Sequence, residues 1–126
     1  MGSGAILTEV IKAAEQLEAL DMDVTVFSVT SWSELARDGM AASDPQEAFI
    51  SRQLQTSQGP ILAATDYVRA LPESIRAYLP EGRSYTTLGT DGFGRSDTRA
   101  ALRAFFNVDA ASIVKAALTA LTSCQI

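Results

Sequence analysis

Hydrophobic positions along the first 20 residues fall on a helical stripe. Ile6, Leu7, Val10, Ile11, Ala14 and Leu17 recur at spacings of three and four, which predicts an amphipathic helix over residues 5–20. Ser3 is the expected N-cap, with Gly2 and Gly4 leaving the chain free to turn into the helix. The pattern then changes period. Val24-Thr25-Val26-Phe27-Ser28-Val29 is short, β-branched and nearly continuous in apolar character, as expected for a strand covered on both faces. A short helix is expected over residues 32–40, with Ser31 or Ser33 as cap and Gly39 near its stop. Asp44 and Pro45 suit the start of another helix, running to about Gln55.

Gln58-Gly59-Pro60 marks a turn, and Ile61-Leu62-Ala63-Ala64 reads as a second buried strand. Residues 68–78 are helical in pattern, with Leu71, Ile75 and Leu79 on one side and the regular helix expected to start at Pro72. Tyr85-Thr86-Thr87-Leu88 is the third strand. A glycine-rich loop over residues 89–95 leads into a helix near residues 96–106, and a last helix runs from Asp109 to about Leu121. Strands that alternate with helices imply parallel pairing, hence an α/β chain folded as a three-layer α/β/α sandwich with a mainly parallel sheet. No repeat, linker or low-complexity stretch interrupts residues 1–126, which are expected to form one domain.

Composition narrows the chemistry. The 126 residues include 10 Lys+Arg and 15 Asp+Glu, no His and one Cys, for a net charge of −5. Without histidine there is no imidazole base at neutral pH, no Ser-His-Asp triad and no His-ligated zinc. The single thiol, Cys124, cannot form an internal disulfide, so a reducing compartment such as the cytoplasm is expected. The acidic balance disfavours nucleic acid, and no apolar run approaches the roughly 18 residues of a membrane span.

Candidate binding positions follow from topology. The three predicted strands end in Thr30-Ser31, Thr65-Asp66 and Gly89-Thr90-Asp91, and ligands of open parallel sheets lie beyond the carboxyl ends of the strands. Thr, Ser and Asp also cap turns and helices, and that structural role is preferred here over catalysis, with binding left open. Gly2-Ser3-Gly4 before a helix has the look of a phosphate-cradling turn, but it lacks a third spaced glycine and a P-loop lysine, so helix entry is preferred. The densest feature is Thr90-Asp91-Gly92-Phe93-Gly94-Arg95-Ser96-Asp97-Thr98-Arg99. Its charges suit a carboxylate or phosphate, or ion pairs with a neighbouring domain; the interface is preferred. Trp32 fits either the core or an interface.

Several blocks together resemble one family. They are Gly2-Ser3-Gly4-Ala5-Ile6-Leu7, the run Ser28-Val29-Thr30-Ser31-Trp32-Ser33-Glu34-Leu35-Ala36-Arg37-Asp38-Gly39, the run Gly59-Pro60-Ile61-Leu62-Ala63-Ala64-Thr65-Asp66-Tyr67, and residues 88–99. In this order they resemble the C-terminal domain of the homodimeric, thiamine-diphosphate-dependent decarboxylating component of the pyruvate dehydrogenase complex. The Phe93-Gly94-Arg95-Ser96 loop is similar, more loosely, to transketolases. The resemblance implies a transketolase C-terminal-like fold and a non-catalytic, dimer-supporting role. It implies that thiamine diphosphate and magnesium are held by the preceding domains, and that a lipoyl acetyltransferase receives the acetyl group. Thr65, Asp66, Asp91, Phe93, Arg95, Ser96, Asp97 and Arg99 become candidate docking residues, with no catalytic, cofactor or metal residue in the chain.

Two departures accompany the resemblance. The family carries a longer stretch between Gly39 and Gly59, rich in His, Trp and Pro, whose contacts are not carried over. It also places a hydrophobic strand immediately before Gly2, so the sheet is expected to lack one strand; the chain is expected to be a truncated piece or to borrow a partner's edge, and the isolated fragment to self-associate. The alternatives are a free-standing module for a small anion and a transketolase fragment.

Overall fold

The computed structural model describes residues 1–66, 68–89 and 109–124, with residues 123 and 124 described by backbone only. A single turn of 3-10 helix, Gly4–Ile6, leads into α1 (Leu7–Glu18). The chain continues through α2 (Trp32–Ala41), α3 (Phe49–Leu54), β1 (Ile61–Ala64), α4 (Ala70–Glu73), β2 (Tyr85–Leu88) and α5 (Ala110–Cys124). β1 and β2 pair in parallel, Ile61 opposite Tyr85 and Ala64 opposite Leu88.

Both faces of this pair are covered, in keeping with the apolar run of β1 and the β-branched and aromatic residues of β2. Ile61, Ala63 and Tyr85 point into a core shared with Val29, Trp32, Ile50, Leu54 and Ile75, on the side of α2, α3 and α4. Ala64 and Leu88 point the other way, into a core of Ile6, Val10, Ala13, Ala110 and Ile113, where α1 and α5 pack on each other. Helices on either side of a parallel sheet give the expected α/β/α layering.

The first predicted strand is reduced to a contact. Residues 24–29 form no ladder; Ser28 makes one parallel bridge to Gly2, and Gly2 makes another to Ala64. Residues 1–3 therefore lie between residues 27–29 and β1 as the short middle member of the sheet. Gly2 donates its N–H to the Phe27 carbonyl (3.0 Å) and accepts from Val29 N–H (2.8 Å). Met1 donates to Leu62 O (2.6 Å), its carbonyl accepts from Ala64 N–H (3.0 Å), and Ser3 N–H reaches Ala64 O (3.2 Å). A strand needs a neighbour along its whole length, and residues 24–26 have none among the described residues. Val26 is accordingly exposed rather than covered.

Other expectations are corrected in detail. Ser3 places no side-chain cap on the first helix. Ile11, expected on the buried stripe, faces solvent. The helix expected over residues 45–55 breaks at Ala48, whose ψ of 148° separates a 3-10 turn (Pro45–Glu47) from α3. Pro72 lies within α4 rather than at its start, in a first turn where its missing N–H costs nothing. The helix near residues 96–106 lies outside the described residues. Asp109 does cap α5, accepting from Ser112 N–H at 3.0 Å.

Gly39 lies near the end of α2, as expected, within its last turn and buried against the Tyr78 ring. A Cβ added there would overlap the ring atoms. In an exposed helix interior, Gly→Ala stabilises by up to about 1 kcal/mol. Here the sign is expected to reverse: Gly39→Ala should lower the urea midpoint by an amount equivalent to about 1–3 kcal/mol. Tyr78→Leu in the same chain should recover part of the loss.

Candidate functional site

The carboxyl ends of β1 and of residues 27–29 gather the polar side chains that topology predicted. Ser31 caps α2, its Oγ accepting from Glu34 N–H at 3.2 Å and lying 3.1 Å from Ser33 Oγ. Next in line, Trp32 is buried, and its Nε1–H donates to Ser3 Oγ (2.9 Å). Ser3 Oγ in turn donates to Thr65 Oγ1 (2.8 Å). The indole, two hydroxyls and three chain segments are thus tied in one buried relay. Trp32 belongs to the core, which resolves the two readings of that residue.

Thr65 is fully buried, and its N–H bonds Leu88 O at 3.0 Å, extending the β1–β2 pairing by one residue. It faces inward, so its hydroxyl is not presented to a docking partner, contrary to its place among the docking candidates. Asp66 stays at the surface. Its carboxylate lies at the Gly2-Ser3-Gly4 turn: a Cβ on Gly4, whose φ is +60°, would come within 2.5 Å of Asp66 Oδ1. A helix start favours an anion, and here a carboxylate of the chain itself stands beside it. This favours helix entry over a phosphate cradle. Asp91, Phe93, Arg95, Ser96, Asp97 and Arg99 lie outside the described residues.

A second cluster was not legible as a site. Arg76 grips Glu73 through Nε (2.6 Å to Oε2) and Nη2 (2.8 Å to Oε1). Thr87 Oγ1 donates to Glu73 Oε1 (2.7 Å) and accepts from Arg69 Nε (3.3 Å). The Arg76 guanidinium also lies over the Tyr85 ring, 4.9 Å from its centre, while Tyr85 O–H donates to Pro72 O at 2.7 Å. The signal was present as Glu73 and Arg76 three apart and Tyr85 and Thr87 on one face of a strand. The Arg76 hydrogen bonds hold the Glu73 carboxyl down at about 2, against the opposing effect of burial. Burial pushes the Tyr85 phenol above its ordinary value. Each of these groups already has a partner within the cluster, so its work is to fasten α4 to β2. Among the described residues no three His, Cys, Asp or Glu side chains converge as a metal site.

The sequence comparisons decide the family. A model of the transketolase-like C-terminal domain matches residues 1–109. The chain belongs to this family. It is also 44% identical over 131 residues to the pyruvate dehydrogenase E1 component of Mycobacterium tuberculosis, covering 96% of the chain but 14% of that protein. The corresponding figures for the E1 component of Escherichia coli K12 are 44% over 129 residues, 94% and 14%, and the Mycolicibacterium smegmatis E1 component is 45% identical over 132 residues. The chain thus spans about one-seventh of the length of these relatives and matches their C-terminal part. As a transketolase-like C-terminal domain, it keeps the α/β fold that the resemblance implied.

Two measurements test this site. Ser3→Ala should leave the buried Trp32 N–H without its acceptor and cost about 1–3 kcal/mol, read from thermal unfolding and from a shift in Trp32 fluorescence. The Glu73 carboxyl, held below its unfolded value of roughly 4.3, contributes stability that is full above that pH and fades as pH falls toward 2. Glu73→Gln should therefore be less stable than the parent at pH 6, and the gap should close progressively below about pH 4.5.

Proposed function

We propose that this chain serves as the C-terminal, non-catalytic domain of a thiamine-diphosphate-dependent pyruvate dehydrogenase, a structural unit of residues 1–126 that supports the enzyme's dimer. The observation that carries this reading is identity of 44% over 96% of the chain to E1 components. The polar groups at the strand ends support it, because Ser31, Ser3, Thr65 and Trp32 are engaged with one another or with the backbone rather than offered to a substrate. In the complete enzyme, thiamine diphosphate and magnesium belong to the preceding domains, and the acetyl group passes to a lipoyl acetyltransferase. Asp66, Asp91, Phe93, Arg95, Ser96, Asp97 and Arg99 dock this domain on the rest of its own chain and the homodimer mate. The setting is cytoplasmic; among the described residues no helix is long and apolar enough to cross a membrane.

The test is complementation. Added to an E1 component lacking its C-terminal domain, the chain should restore pyruvate decarboxylation while showing none alone. Calorimetry of the isolated chain with pyruvate, thiamine diphosphate and phosphate should give no binding heat. Clear binding of any of the three would favour a free-standing anion module, and turnover of a 2-oxo acid by the chain alone would overturn the assignment.

A further inference from the structure

We draw no further inference here: the strongest candidate, the outer edge of β2, which no strand pairs among the described residues, carries nothing because nothing in the structure shows what covers it.

Discussion

The sheet is organised around three residues. Met1 and Ser3 bond to β1 on one side, and Gly2 bonds to residues 27–29 on the other, so the register of the whole layer passes through backbone groups of residues 1–3. Buried N–H and C=O groups must be paired, and here no side chain substitutes for the pairing. The absence of a side chain at Gly2 belongs to the same constraint. A Cβ there would lie 2.7 Å from Val10 Cγ2, so α1 packs directly onto the backbone of the middle segment. The hydrophobic stripe of α1 and the strand pattern are thus two halves of one contact.

That constraint determines what the polar residues at the carboxyl edge can do. Trp32 begins α2 shortly after residues 27–29, Thr65 immediately follows β1, and Ser3 ends the middle segment. Parallel register brings the three side by side. An indole N–H buried beside two hydroxyls has to be satisfied, and it is, by a relay that uses donors and acceptors otherwise available to a ligand. The same is true of Ser31, spent on capping α2, and of the Glu73–Arg76–Thr87 cluster, spent on α4 and β2. Hydroxyls and carboxylates are abundant, yet their geometry stabilises elements. Among the described residues at this edge, the hydrogen-bonding capacity of these groups is directed inward.

The readable parts of the sequence were those governed by local rules. The stripe of α1, the Asp44 and Asp109 caps and the apolar runs of β1 and β2 each depend on neighbours within a few residues, and each appears in the structure. Residues 24–29 read equally well as a strand by composition, but pairing length depends on what lies alongside, and composition carries no information about that. Gly39 resembled a helix stop because glycine is common there. Its actual determinant is Tyr78, 39 positions away, whose ring occupies the space of a side chain. Thr65 was placed correctly at a strand end, while its burial depends on Ser3 and Trp32, which converge only after the sheet forms.

The two edges of this sheet therefore have opposite characters. At the carboxyl edge, the polar side chains of Ser3, Ser31, Trp32 and Thr65 are bonded within the domain, and Gly89 ends the described part of this edge. At the amino edge, residues 25–27 and 60–62 face one another across apolar walls. Charge and aromatic content drew attention to the carboxyl edge. The walls at the other end come from ordinary valines, a leucine and a proline, which converge only once Gly2 has paired with residues 27 and 29.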